Sequence, residues 1–251
     1  NILLNSIMTK KINDFPGIIF ESKDIDLSNL PLTDCHVHTS WTDGEANVID
    51  VHRRSIKKGL KNILFSEHSR KTSIDWFSRF AEEVRSLPSN ECKAYVGTEV
   101  KVEKRDGEID TNSIISNQCD FVMASVHRFI DKNNKIISFT ETDPQEAVEI
   151  EYELTWAVLE NPKVDILGHM FGMSYKRFNK IPNEFLIKKL IKKAAYNGIA
   201  IEVNSNYHPN ALDYIKWCKE YGAKICFGSN AHKLYEIGLI IDQIRRELDV
   251  L

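Results

Sequence analysis

Six of the eight histidines in this chain stand at or beside the ends of predicted β-strands, several of them next to a carboxylate. An H-x-H pair, His36-Val37-His38, ends the first strand, and because side chains alternate along a strand both imidazoles point to the same face. Residues of the same kind end later strands: His68, Glu99, His127, His169 and His232. Imidazole nitrogens and carboxylate oxygens are ligands for divalent transition metals. The pattern predicts a metal-dependent hydrolase.

The elements that would position these residues alternate regularly from residue 32 onward. Strands are predicted at 32–38, 62–66, 93–99, 120–126, 164–168, 199–204 and 224–228. Helices are predicted at 45–58, 74–87, 143–160, 183–197, 208–221 and 233–247, with a start at Asp143-Pro144 and stops at Gly59, Gly198 and Gly222. The stretch 100–119 gives no clear helix. Seven βα units indicate a parallel sheet, and ligands at nearly every strand end favour an α/β barrel over an open sheet.

Composition excludes several functional classes. The 251 residues suit one domain, and no apolar run approaches the roughly 18 residues needed to span a bilayer. Five cysteines without a C-x-x-C pair argue against a disulfide framework and favour a reduced, cytoplasmic protein. A net charge of −3 offers no broad basic surface for nucleic acid. Residues 1–31 are predicted to precede a domain at 32–251, and because Met8 is a candidate natural start, residues 1–8 are kept out of the functional argument.

In chain order, the motifs resemble those of the PHP family, the polymerase and histidinol phosphatase domains. The resemblance covers about residues 32 to 235 and depends on the combination of motifs. These are Asp34-x-His36-x-His38-Thr39, Thr42-Asp43-Gly44, Ser66-Glu67-His68, Gly97-Thr98-Glu99, Ser125-Val126-His127, Leu167-Gly168-His169 and Gly228-Ser229-Asn230-Ala231-His232. The family implies an α/β fold, a distorted (β/α)7 TIM-like barrel in a single domain. It also implies two or three divalent ions (Mn, Zn or Fe) that hydrolyse phosphate esters.

The resemblance further implies roles for individual residues. The metal ligands would be His36 with His38 for one ion, His127 with His169 for a second, and Asp43, His68 and His232 for a third. Glu99 resembles the carboxylate that bridges two ions, and Glu99, His127 and Asn230 would carry catalysis. Asn230 stands where the family usually has aspartate, and its carbonyl oxygen brings no negative charge, which should weaken one ion. Natural divergence, a partly degenerate site and an engineered change all stay open.

Other residues near the strand ends are open to more than one interpretation. Asp43 is interpreted as a ligand, with a helix cap near Glu45 as the alternative. Glu67 is expected to orient an imidazole, and His52 to lie on a solvated helix face. The candidates for binding a substrate phosphate are Arg128, Arg70 and Arg177, with Lys71 and Lys176 in comparable loops. In the polar stretch 202–208, Asn204 is expected to face the substrate or the ligands.

Several functions remain in competition. The leading hypothesis is a phosphatase acting on a small phosphate monoester. A phosphodiesterase or exonuclease on nucleic acid is the runner-up, but the compact, slightly acidic chain makes a small phosphorylated substrate the expected partner. An amidohydrolase-like deaminase or lactonase ranks low, because such barrels usually have a bridging lysine and a final-strand aspartate. Asn230 also keeps open a non-catalytic, PHP-like binding module. The sequence does not define the oligomeric state.

Overall fold

In the computed structural model, which describes residues 13–250, the strands curl into a barrel. The sheet contains β1 (Phe20–Glu21), β2 (Thr33–Val37), β3 (Asn62–His68), β4 (Lys93–Lys101), β5 (Phe121–Ser125), β8 (Ile166–Leu167), β9 (Ala200–Asn204) and β10 (Lys224–Gly228). A separate hairpin is formed by β6 (Phe129–Ile130) and β7 (Ile136–Ile137). The sheet order is β1-β10-β9-β8-β5-β4-β3-β2. All paired neighbours are parallel except β1 with β10, so the seven predicted strands and the distorted (β/α)7 barrel are confirmed.

The helices pack around this sheet and bury their apolar faces against it. They are α1 (Val48–Lys58), α2 (Phe77–Arg85), α3 (Ser113–Ser116), α4 (Pro144–Val158), α5 (Gly172–Phe178), α6 (Glu184–Asn197), α7 (Ala211–Tyr221) and α8 (Leu239–Asp249). Asp143 caps α4 by accepting from the amides of Gln145 and Glu146. Gly198 ends α6 in the left-handed conformation. The six predicted helices are confirmed, and α3 and α5 are additional.

Two additions to the predicted elements have non-local causes. Helix α5 has only seven residues, and its first turn is held by Glu151, a buried residue of α4 that accepts from the amides of Met173 and Ser174. No local pattern reveals such a start, because the capping residue is more than 20 positions away. Strand β1 is an antiparallel partner for β10. Of the described residues that precede β2, Phe20–Glu21 form this strand, and residues 1–12 lie outside the described part.

The first and last barrel strands, β2 and β10, meet along a seam that contains little backbone pairing. A single parallel bridge joins Val37 to Ala231 just beyond the end of β10. The rest of the seam depends on Asp34, which is fully buried. Its carboxylate accepts from the amides of Ser229 at 2.9 Å and of Gly238 at 2.8 Å. Asp34, in the first sequence motif, therefore closes the barrel and does not face the ligands.

The surroundings of His52 and of the cysteines can be compared with the sequence predictions. The expectation that His52 lies on a solvated face is wrong: the residue is buried, and its Nε2 lies 2.8 Å from the carbonyl oxygen of Cys92. The apolar pairing of α1 with the sheet thus includes one imidazole with a backbone partner. All five cysteines are buried, and none forms a disulfide within residues 13–250. The cytoplasmic location and the domain boundary at residue 32 stay predictions.

Within residues 13–250, no helix combines the length and the apolar character needed to cross a membrane.

The Asp34→Ala substitution tests the seam. It leaves buried amide donors of two chain segments without an acceptor, so the free energy of unfolding should fall by about 3 kcal/mol or more. Asp249→Ala, at the exposed end of α8, is the control and should change it by less than about 0.5 kcal/mol. Urea unfolding followed by circular dichroism measures both, and equal stabilities for the two variants would contradict a closing role for Asp34.

Candidate metal centre

The inward-facing side chains form layers, because residues two apart on a strand share a face. The lowest layer is apolar and takes a residue from each parallel strand, with Ile18 and Ile19 beneath; its strand members are Cys35, Leu64, Tyr95, Phe121, Met123, Ile166, Ala200 and Cys226. Two residues further along are small or polar groups: Ser66, Gly97, Ser125, Gly168, Glu202 and Gly228. A further step of two on β3, β4 and β5 reaches His68, Glu99 and His127. On these three strands, the two-residue period of the side chains therefore explains why His68, Glu99 and His127 gather at one end of the barrel.

The glycines of the middle layer leave room for this arrangement. A Cβ atom on Gly228 would lie 2.1 Å from the Oε1 atom of Glu202, and one on Gly168 would lie 2.1 Å from the Oγ atom of Ser125. Both positions have ordinary backbone angles, so they need glycine for space and not for conformation.

Glu99 is at the centre of the site and is buried. Its Oε1 atom lies 2.9 Å from the Nε2 atom of His169 and 3.1 Å from that of His127. Its Oε2 atom lies 3.2 Å from the Nε2 atom of His36 and 3.1 Å from the Nδ1 atom of His68. One carboxylate thus faces two groups of imidazoles with different oxygens, as a bridging ligand would.

On the Oε2 side, an H-x-H pair and an amide converge. The Nε2 atoms of His36 and His38 are 3.1 Å apart. The Oδ1 atom of Asn230 lies 3.0 Å from the Nε2 atom of His38, and its Nδ2 atom donates to the Tyr207 hydroxyl at 3.3 Å. Asn230 has a φ of 48°, in the left-handed region that asparagine tolerates better than most residues. The amide therefore presents its oxygen to the ligand-type atoms.

A third group lies nearer the solvent. The Oδ2 atom of Asp43 is 3.4 Å from the Nε2 atoms of both His68 and His232. The alternative that Asp43 caps a helix does not hold, because α1 begins at Val48 and the side chain of Asn47 accepts from the amide of Asp50. The structure thus brings together all the predicted ligand-type residues in three neighbouring groups.

The electrostatics of these groups favour a cation among them. Burial disfavours a charge on Glu99, yet His127, His36 and His68 hold the pKa of its carboxyl well below the usual range. Burial, followed by the charges of His68 and His36, lowers the pKa of His38. So many adjoining imidazoles cannot all be protonated, and a neutral ring turns a lone pair toward its neighbours.

The spacing of the ligand-type atoms also fits bound metal ions. Ligands about 2.1 Å from one ion lie about 3.0 to 3.4 Å from one another. The Nε2 atoms of His127 and His169 are 3.2 Å apart, and those of His36 and His38 are 3.1 Å apart. The Nδ1 atom of His68 and the Oε2 atom of Glu99 face each other without hydrogen-bond geometry. Sets of three or four such atoms lie within 4.8 Å of one another, so these residues could hold divalent ions.

Glu202 is a residue of the site that the sequence analysis did not assign. It is fully buried, and its Oε1 atom lies 2.8 Å from the Nδ1 atom of His36. Its Oε2 atom accepts from the amide of His169 at 2.6 Å. Burial opposes its charge, but His36 lowers the pKa of Glu202. A carboxylate in the otherwise apolar strand Ala200–Asn204 was the available signal.

Two residues support the site from beside the ligand-type residues. Asn204 is fully buried and donates at 2.6 Å to Glu202, the carboxylate that contacts His36, so it faces a residue that holds a ligand and not the cavity. Glu67 does not contact an imidazole; it accepts from the amide of Thr39 at 2.7 Å and from the hydroxyl of Thr42. Burial raises the pKa of the Glu67 carboxyl to about 7. Glu67 thus holds the loop that carries Asp43.

A cavity of about 520 Å³ opens above the ligand-type atoms. Arg70 and Arg177 line it as predicted, together with Lys101, Lys176 and Tyr207. Lys101 was not foreseen, although it continues the inward face of β4 two residues after Glu99. Burial and the charges of Arg70 and Arg128 lower its pKa.

Two other predicted cations are not among the cavity-lining residues. The nearest carboxylate oxygen to Arg128 is that of Asp110, 3.9 Å away, and its Nε atom is buried without a partner in the described structure. Lys71 is paired with Glu103 and Glu108. Arg128 therefore does not line the cavity, although its charge contributes to lowering the pKa of Lys101.

An α/β barrel with imidazoles and carboxylates clustered at its strand ends defines a class of metal-binding barrel proteins, and comparison with known families identifies the group. The PHP domain model matches residues 34–206, more than half of the chain. The chain therefore belongs to the PHP domain family, and the resemblance stated from the motifs is confirmed.

Named relatives and solved structures agree with this placement. A probable phosphatase of Thermoanaerobacter sp. (strain X514) is 26% identical over 216 residues, covering 82% of this chain and 80% of that protein. The DNA polymerase/3'-5' exonuclease PolX of Bacillus subtilis is 25% identical over 80% of this chain, which corresponds to 34% of PolX. The crystal structure of histidinol phosphate phosphatase from Lactococcus lactis, complexed with zinc, L-histidinol and phosphate, has a TM-score of 0.65 at 19% identity, covering 87% of this chain and 92% of that one. At that identity the structural match shows the fold.

The Glu202→Gln substitution tests whether this buried carboxylate orients the ligands. The amide keeps the shape but weakens the hold on the His36 ring, so zinc affinity should fall about 10- to 100-fold while the protein stays folded. Competition with a chelating dye measures the affinity, and circular dichroism reports the fold. Glu149→Gln, on the exposed side of α4, is the matched control and should leave the affinity unchanged. Equal affinities for both variants would contradict the assigned role.

Proposed function

We propose that this protein is a metal-dependent phosphatase that hydrolyses a small phosphate monoester. The observation that carries the proposal is the Glu99 carboxylate, buried between two groups of imidazoles at the base of a cation-lined cavity. Family membership supports a phosphoesterase, and the likeness to a probable phosphatase over most of both chains supports the monoester.

The proposed ligands follow the three groups of atoms. His36, His38 and Asn230 would hold one ion, His127 and His169 a second, and Asp43, His68 and His232 a third, with Glu99 bridging the first two. Two or three divalent ions fit this set. When bound, such ions supply an activated water and positive charge at the phosphoryl oxygens. Imidazole and carboxylate donors suit zinc, manganese and iron.

The chain's own residues would perform the remaining tasks. Glu202 holds the ring of His36 through its Nδ1 atom and the backbone amide of His169, so these ligands are positioned before substrate arrives. Arg70 and Lys101, beside the ends of β3 and β4, would bind phosphate oxygens. His127 faces Glu99 at the base of the cavity and, with Glu99 and Asn230, is the proposed catalytic set. Arg177 would bind the substrate farther out.

A second candidate is phosphodiester cleavage on nucleic acid, which the likeness to PolX favours. The chain corresponds to only 34% of PolX, so the activities of that whole protein do not transfer. The cavity of about 520 Å³ has the size of a small-molecule site, which supports the monoester.

Metal content and substrate preference test the proposal together. Protein purified without chelator should contain two or three ions per chain and hydrolyse p-nitrophenyl phosphate faster than bis-p-nitrophenyl phosphate in the presence of manganese or zinc. Glu99→Gln should lower turnover by at least about 100-fold, because it removes a charged ligand shared by two groups. Glu149→Gln is the control.

Other results would change the assignment. Preference for the diester, together with release of nucleotides from a single-stranded DNA oligonucleotide, would favour the nuclease. Bound metal with no turnover of monoesters, including histidinol phosphate, would leave a binding module and overturn the phosphatase.

The Asn230→Asp substitution tests how the missing charge affects the site. Aspartate tolerates the left-handed backbone almost as well as asparagine, so the change adds a charge without altering the fold. The added charge should tighten metal binding by about tenfold or more and, because a negative charge disfavours ionisation of a bound water, move the rising limb of the pH–rate profile to higher pH. Metal titration and pH–rate profiles measure the two effects. Unchanged affinity would show that Asn230 does not contact an ion.

A further inference from the structure

The cavity wall carries four cationic side chains in two pairs. Arg70 and Lys101 come from the ends of β3 and β4, beside the ligand-type residues His68 and Glu99. Lys176 and Arg177 come from α5, which lies outside the sheet. None of the four has a carboxylate within 4.0 Å among residues 13–250, whereas other lysines and arginines near the strand ends, such as Lys71, are paired.

The α5 pair reaches the cavity from outside the sheet and packs on aromatic rings. The ring of Tyr207 packs on that of His169 with centroids 4.4 Å apart, and the Nζ atom of Lys176 lies 5.4 Å from the Tyr207 centroid and donates to the Tyr207 hydroxyl at 3.5 Å. The guanidinium of Arg177 lies 4.5 Å from the centroid of the exposed Phe139 ring. Stacking fixes the plane of a guanidinium and leaves its N–H edge free to bind a bidentate anion.

The charge balance of the cavity indicates what the α5 pair, Lys176 and Arg177, binds. The lining contains two carboxylates, Asp43 and Glu99, and both face imidazoles of the ligand groups. No carboxylate of the described lining is thus available for an ammonium group on a leaving group. A phosphate monoester brings two negative charges, which Arg70, Lys101 and the proposed ions already match. Lys176 and Arg177 remain uncompensated.

We infer that the leaving group of the substrate carries a second anionic group, a carboxylate or another phosphate, which binds to Lys176 and Arg177. This inference rests on the proposed phosphatase activity, since it assumes a substrate with a leaving group. The binding of a second anion to the α5 pair is a separate statement. Arg70 and Lys101 bind the phosphate next to the ligands, and the α5 pair binds the distal anion. Leaving groups that carry an amine are disfavoured by the same charges.

Matched phosphonates test this without turnover. Propylphosphonate, phosphonopropionate, propane bisphosphonate and aminopropylphosphonate share a three-carbon chain that ends in a methyl, carboxylate, phosphonate or ammonium group. Calorimetry on zinc-loaded protein should show that phosphonopropionate and propane bisphosphonate, the two compounds with a second anionic group, bind at least about tenfold more tightly than propylphosphonate. The reason is that each charge-assisted hydrogen bond contributes more than a neutral one. Aminopropylphosphonate should bind most weakly. Comparison of the carboxylate with the second phosphonate distinguishes the two sources of the anion.

A double variant, Lys176→Gln with Arg177→Gln, should abolish the tenfold preference, because it should weaken the binding of the two compounds with a second anionic group and leave that of propylphosphonate unchanged. Lys180→Gln, which removes a neighbouring charge outside the cavity lining, should retain it. In turnover, phosphoglycerate should have a higher kcat/KM than glycerol phosphate, and phosphoethanolamine a lower one.

Either of two results would overturn the inference: equal binding of propylphosphonate and phosphonopropionate, or a preference that survives in the double variant. Absence of turnover with every monoester would overturn the phosphatase proposal instead. In that case the phosphonate affinities still decide whether the α5 pair binds an anion.

Discussion

The buried charge of Glu99 is the constraint on which the rest of the site depends. A carboxylate away from water costs several kcal/mol unless cations surround it, and here imidazoles contact both of its oxygens. Those imidazoles in turn need their outer nitrogens held, which Glu202 does for His36. The barrel therefore places charge and counter-charge in successive layers above an apolar base.

The layers also explain why so many ligand-type residues lie close together at this end of the barrel. Strands β3, β4 and β5 change along their inward face from an apolar residue to a small or polar one and then to a ligand-type residue. Two glycines of the middle layer matter because a Cβ atom on Gly228 would displace Glu202 and one on Gly168 would displace Ser125. At the open end, loops and α5 add cations that no strand supplies. The inner part of the site is thus fixed by the sheet, and the outer part by short segments.

Sequence reasoning succeeded where one local period carried the information. The strands, the main helices and the ligand-type residues all follow from alternation, caps and motif order, so His36, Glu99 and His232 could be placed in advance. Residues with long-range partners could not: Asp34 closes the seam through Ser229 and Gly238, and Glu151 starts α5 from another helix. Lys101 and Glu202 had a weak signal, since each is a charged residue on an inward strand face. Arg128 directly follows His127 in the sequence but does not line the cavity, because neighbours in sequence need not be neighbours on a cavity wall.

The left-handed backbone at Asn230 has a consequence for how this family can diversify. A φ of 48° favours asparagine, aspartate and glycine at this position. The codons of asparagine and aspartate differ by one base, so a single nucleotide change adds or removes a full charge beside the ligands while the backbone stays the same. The charge of the centre is therefore open to selection by the smallest genetic step, at a position where the backbone disfavours most other substitutions.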